Sequence, residues 1–125
     1  MEVALNRQVT SLQRMQAAAT INGPGSQALV DGINGAQMVE VSETGGGTCT
    51  LAIQGSMDGT VWYAVGYQQV DGVVAPARAV ANISVLAGSA HVYQVLDRYK
   101  FLRTVMSATA GGAIVTTRAY CVPVA

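Results

Sequence analysis

From residue 37 onward the chain repeats one pattern: apolar and polar positions alternate over a short run, then a glycine interrupts. Thr48 to Gln54 is the cleanest case, with Cys49, Leu51 and Ile53 on one side and Thr48, Thr50 and Gln54 on the other. A period of two with one apolar side is the mark of a half-buried antiparallel strand. Gln37 to Glu43 follows the same rule, setting Val39 and Val41 against Glu40 and Ser42. So does Tyr99 to Met106, where Tyr99, Phe101, Arg103 and Val105 oppose Lys100, Leu102, Thr104 and Met106. Val61 to Tyr67, Val80 to Leu86, His91 to Leu96 and Ala113 to Val122 read as further strands. Gln27 to Val30 is a weaker one, and Val70 to Ala79 reads as a loop. Short strands at turn-limited spacing, with no helical period in mid-chain, predict an all-β antiparallel sandwich of two packed sheets. A jelly-roll-like strand order is the first expectation. The last two strands, joined by Gly111-Gly112, are expected to pair as a hairpin.

The first 21 residues break the pattern, with neither Gly nor Pro. Leu5, Val9, Leu12, Met15 or Gln16, and Ala19 recur at spacings of three to four, which suits a short amphipathic helix. The same segment also suits an extended arm lying on a neighbouring subunit. Asn22-Gly23-Pro24-Gly25-Ser26 then interrupts any regular structure. The expected organisation is an N-terminal arm and hinge over 1–26 and a β-sandwich body over 27–125. Leu5, Val9, Leu12 and Met15 are candidate interface residues on the arm.

Composition changes the picture. Half of the 125 residues are hydrophobic and only 11% are charged, against about 25% in an ordinary soluble domain. Lys100 is the one lysine. Interfaces between protein chains are depleted in Lys and Glu, so low charge points to a subunit whose surface is covered by other chains, itself included. The net charge is zero, which gives no basic field for nucleic acid and no polybasic segment for anionic lipid. No apolar run approaches the roughly 20 residues of a spanning helix, and the first residues lack the apolar core of a secretory signal. Synthesis in the cytoplasm is expected, with Cys49 and Cys121 reduced and buried.

Candidate chemistry is sparse. His91 is the single histidine, so a zinc site lacks its ligands. The acids Asp31, Asp58, Asp71 and Asp97 stand singly among turns, with no catalytic carboxylate pair and no calcium loop. Gly45-Gly46-Gly47 lacks the Lys-Ser/Thr of a phosphate loop and reads as a turn. No enzyme, metal or cofactor is expected. Tyr63 and Tyr67 would share a face of one strand, as interface residues or as a sugar-binding platform, with Trp62 on the opposite, core side.

The most distinctive string is Gly55-Ser56-Met57-Asp58-Gly59-Thr60-Val61-Trp62. Asp58-Gly59 is a strong turn signal, because glycine accepts positive φ and the aspartate side chain bonds nearby amides. Ser56, Asp58, Gly59 and Trp62 are therefore candidate structural turn residues. The string resembles the Asp-box of sialidases, but is one residue short of it and has no second copy. It is also similar to a turn in small β-sandwich virion proteins of tailed bacteriophages. So are Tyr99 to Arg103, Ala110-Gly111-Gly112 and Ile114 to Arg118 near the end. This resemblance covers about residues 27–122. It implies a capsid decoration (cement) protein on the outside of the head, partnered by the major capsid protein and by itself as a homodimer or homotrimer. A carbohydrate-binding or adhesion module, or a small neck or tail component, is the alternative.

Overall fold

The computed structural model describes residues 13–30, 35–72 and 78–123. They form two antiparallel sheets packed face to face. The strands are β1 (Gln13–Ala19), β2 (Gly23–Pro24), β3 (Ala28–Leu29), β4 (Gly35–Glu43), β5 (Thr48–Ser56), β6 (Tyr63–Ala64), β7 (Tyr67–Gln69), β8 (Ile83–Val85), β9 (Ala90–Val95), β10 (Phe101–Ala110) and β11 (Val115–Pro123). Sheet one has the order β1-β11-β4-β9-β7. Sheet two has the order β2-β10-β5-β6, with β3 also on β10 and β8 also on β5.

Following the chain, the strands cross back and forth between the sheets almost every time. The first strand lies beside the last in sheet one, and the short β2 and β3 lie beside the penultimate β10 in sheet two. This interleaved order is that of a jelly roll. It explains why β10 and β11 are not the expected hairpin: β10 pairs with β5 and β11 with β4 and β1. Gly111 and Gly112, with φ of 68° and 77°, turn the chain across the sandwich instead of back along one sheet. Alternation and a glycine turn look alike for both connections.

The alternation itself decides the core. Leu51 and Ile53 of β5, Val39 and Val41 of β4, Leu102 and Met106 of β10, and Val115 and Ala119 of β11 are buried between the sheets. At mid-core the Thr104 and Thr117 hydroxyls bond each other across the gap at 2.8 Å. Among the described residues no buried polar side-chain atom lacks a partner, as a dry interior requires. Cys49 and Cys121 are buried and unbonded to each other, and burial raises both thiol pKa values.

The expected arm is corrected over its described part. Residues 13–19 are an extended edge strand, not a helix, and Met15 is 2% exposed in the common core. The Gln16 side chain reaches inward, donating to the carbonyls of Thr104 at 3.1 Å and Gly23 at 3.2 Å. Two register shifts on β11 let both Met15 and Gln16 face inward, which a strict period of two forbids; Ala18 takes a positive φ of 49° beside the second shift. The hinge residues Gly23 and Pro24 pair with β10. The boundary expected between 26 and 27 therefore does not separate an arm from the body. Leu5, Val9 and Leu12 lie outside the described residues.

One end of the sandwich is held by a side chain that the sequence reading passed over. Glu43 ends β4 on the inward side and is 3% exposed. Its carboxylate accepts backbone N–H bonds from Gly45, Gly46 and Gly47 (2.6, 3.0 and 3.3 Å), Gly88 (2.8 Å) and Ile114 (3.1 Å). Three connections between the sheets thus converge on one anion. The Gly88 amide, then those of Ile114, Gly47 and Gly45, outweigh burial and hold the pKa down at about 2. Gly45 and Gly47 are obligatory here, since a β-carbon would run into the carbonyls of Gly112 and Ala110.

Candidate interaction face

Residues paired across a sheet share a face, so the register gives each sheet's outward surface. On sheet one, Arg14 pairs with Arg118, Arg118 with Glu40, and Glu40 with Val92. Arg118 donates to the Glu40 carboxylate at 2.7 Å. Around this row lie Ser42, Thr116, Gln94, Gln68 and Tyr120, interrupted by Met38. A depression of about 150 Å³ lies among Glu40, Ser42, Thr116 and Arg118 and reaches His91. His91 itself is engaged by Asp71, whose carboxylate sits 2.9 Å from Nδ1 and also accepts the Val92 amide at 2.6 Å. This cluster fastens the end of β7 to β9. Ser89 and Asp97, close in sequence, do not join it: Ser89 caps its own turn and Asp97 pairs with Arg78 at 3.7 Å. Among the described residues no group of His, Cys, Asp and Glu is placed to hold a metal ion.

Sheet two is different outside. Its strands carry a single charged residue, Arg103. Phe101 pairs with Leu29, Val105 with both Ala52 and Pro24, Arg103 with Gln54, and Gln54 with Ala64. Leu29 is 51% exposed; Phe101, Val105 and Ala52 are half-buried and Ala64 and Pro24 exposed. Arg103 lies in the middle of this apolar surface. Its guanidinium stacks 4.2 Å from the centre of the Trp62 ring, and its Nε donates to Gln54 at 2.8 Å. Stacking and the amide bond fix the planar group in one orientation.

The turn over residues 56–62 sets Trp62 there. The buried Ser56 hydroxyl accepts the Gly59 amide at 2.9 Å and the Asp58 amide at 3.3 Å, and donates to the Asp58 carboxylate at 3.0 Å. That carboxylate takes the amides of Val61 and Thr60 at 2.9 and 2.8 Å. These bonds, Val61's first, lower the Asp58 pKa. Gly59 has φ of 78°, and Gln27 donates to its carbonyl at 3.1 Å. Ser56, Asp58 and Gly59 act as one unit that delivers Trp62 onto the outer surface. Trp62 is half-buried under Arg103, not in the core as its strand parity indicates.

Tyr63 and Tyr67 are not brought together. The chain leaves sheet two after Ala64 and enters sheet one at Tyr67, so no single strand spans 61–67 and its parity rule lapses. Tyr63 is 57% exposed. Tyr67 is 8% exposed, packs edge-on against Tyr93 at 5.5 Å and donates to the Ala81 carbonyl at 2.6 Å. The pair makes no sugar platform, and Tyr67 is a core residue. Arg103 was not singled out from the sequence; its signal was a lone cation among the outward positions of an apolar strand.

No protein-family model matches the chain, and no curated protein matches it. Among solved structures it is similar to the crystal structure of the SPBc2 prophage-derived protein YomS, with a TM-score of 0.64. The superposition covers 90% of this chain and 93% of that one at 10% identity. At that identity the likeness is one of fold.

Proposed function

We propose that this chain is a structural component of a bacteriophage particle: a decoration protein that binds the outside of the head, on the shell built by the major capsid protein, and stabilises it. The observation that carries the reading is the outer face of sheet two, where Leu29, Phe101, Val105, Ala52 and Ala64 form an apolar patch around one oriented cation, with Thr50, Ser84 and Ser107 beyond it. A chain with 11% charged residues has little else to keep such a face in water. Two likenesses support the choice of partner. One is the resemblance of the 55–62 turn and the last two strands to small phage virion proteins. The other is a fold shared with a prophage-derived protein.

The mechanism is burial. A footprint of standard size removes roughly 800 Å² per partner from water. At about 25 cal/mol per Å² of apolar area, that outweighs a large part of the cost of association. Repetition over the shell, and self-association into dimers or trimers, multiplies the effect. The protein is made in the host cytoplasm and ends on the virion exterior, with no catalytic role and no nucleic-acid or membrane partner.

The test is co-sedimentation with empty shells, alongside mass measurement of the free protein. Saturable binding to shells and a mass of two or three chains are expected. Binding to isolated tails or necks but not to shells would reassign the protein within the particle. A strict monomer that binds no particle would end the reading.

A further inference from the structure

The geometry points to a carboxylate-binding site at Arg103: an acidic side chain of a protein partner, set among apolar residues, docks on the guanidinium that Trp62 and Gln54 hold in place. The inference deepens the reading above, on which it rests for the identity of that partner. Three observations carry it.

The first is orientation. Nε is committed to Gln54 and one face of the plane to the Trp62 ring. The two terminal nitrogens have no hydrogen-bond partner among the described residues. A guanidinium held in this way offers a ready fork for two parallel bonds to a carboxylate, with little side-chain freedom left to lose. The second is charge. No acidic residue lies on any strand of sheet two, and a second cation, Lys100, stands 5.8 Å over the Phe101 ring. The one carboxylate of the adjoining turn, Asp58, is taken up by Ser56 and by the amides of Thr60 and Val61, so Arg103 has no counter-ion on the strands of the sheet and its complement is an anion. The third is setting. Leu29, Phe101, Val105, Ala52 and Ala64 surround Arg103 and would exclude water once covered. Trp and Arg at the centre of such a patch, ringed by weaker apolar contacts, are the usual anchors of protein interfaces. Two isolated cations in an apolar surround do not make the continuous basic track that a nucleic-acid backbone needs, so the acid is assigned to a protein.

Trp62 is the chain's single tryptophan, so its fluorescence reports on this site. The probe is a pair of synthetic peptide libraries, one with glutamate fixed at the centre between apolar residues and one with glutamine in its place. Titration into the full chain is expected to change Trp62 emission, with the glutamate library binding roughly tenfold tighter. Arg103→Gln abolishes that preference; Arg103→Lys, which keeps charge but not the fork, retains only part of it. Thermal melts of both variants check the fold, and a variant that does not fold is replaced by Gln54→Leu, which frees the guanidinium and should weaken the preference several-fold. Equal binding of the two libraries, or an undiminished preference in Arg103→Gln, overturns the site. So does tighter, Arg103-dependent binding of a single-stranded oligonucleotide. Co-sedimentation with shells separates this site from the broader reading. Shell binding that ignores Arg103 removes the site and leaves the function, whereas glutamate preference without shell binding leaves the site and removes the function.

Discussion

The outer faces of the two sheets arise from the same alternation and differ in what they carry. Sheet one turns Arg14, Arg118 and Glu40 outward in a row, with Gln68, Gln94 and Thr116 around them and Met38, Val92 and Tyr120 interspersed. Sheet two turns Phe101, Val105, Leu29, Ala52 and Ala64 outward around one cation. Below both lies one shared core, so the difference is not a matter of stability. A sandwich that needs both faces only for solubility has no reason to make one of them apolar. The contrast separates a charged and polar face from the apolar patch that the proposed function assigns to a partner, and it separates both from the residues that hold the fold.

What the two faces share is where the largest effects fall. Truncation before Asn22 removes β1, strips the edge of β11 and empties the site of Met15. Met15→Ala alone should cost about 2–5 kcal/mol. Losing the whole strand should cost more and abolish cooperative unfolding, as read by near-UV circular dichroism. A truncated chain that melts as the full one does would return residues 13–19 to the status of an arm.

Next comes Glu43→Gln. The amide points N–H groups at the amides of three connections, and a drop in melting temperature on the order of 10 °C is expected. The sign of the pH effect follows from the direction of the shift. The carboxyl's pKa is lowered from 4.5 to about 2 on folding, so its contribution is complete above pH 4.5 and fades as pH falls toward 2. The wild-type advantage over Glu43→Gln should therefore shrink across that window. An advantage independent of pH would mean that the carboxylate is not the anchor.

A matched pair of substitutions sharpens the comparison itself. Val105→Lys and Val92→Lys both alter half-buried outward positions, on sheet two and sheet one respectively. Each should change stability by about 1 kcal/mol or less. Shell binding should fall roughly tenfold or more for Val105→Lys and stay level for Val92→Lys. Equal losses would erase the distinction between the faces. The smallest effect belongs to Glu40→Gln. It breaks a half-exposed ion pair of 2.7 Å, and about 0–1 kcal/mol is expected, less at high salt. A larger loss, read from urea unfolding, would make the polar face a structural element.

The sequence shows the faces more clearly than the connections. Alternation set Leu51 and Ile53, and Val39 and Val41, on the apolar side of their strands, and grouped Leu102 with Met106 on one side of theirs without saying which side is inward, because a period of two is a local property. It misassigned Trp62, which the 56–62 turn and not a strand sets in place, and Tyr67, because Val65 and Gly66 carry the chain to the other sheet and parity does not survive a crossing. The β10–β11 connection was misread for the same reason. Glu43 was legible in principle: it is an acid at an inward position directly before Thr44-Gly45-Gly46-Gly47. The amides that bind it come partly from Gly88 and Ile114, and no local pattern announces those. Arg103 likewise acquires its meaning only when β10 is laid beside β5 and the 56–62 turn brings Trp62 over it.

The most direct measurement is hydroxyl-radical footprinting of the protein free and bound to empty shells, read residue by residue by mass spectrometry. Protection of Trp62, Phe101 and Leu29 with unchanged reactivity at Tyr120 and Met38 is the expected result. Protection of Tyr120 and Met38 with Trp62, Phe101 and Leu29 still reactive would contradict it, and would make the charged sheet the one that meets the shell.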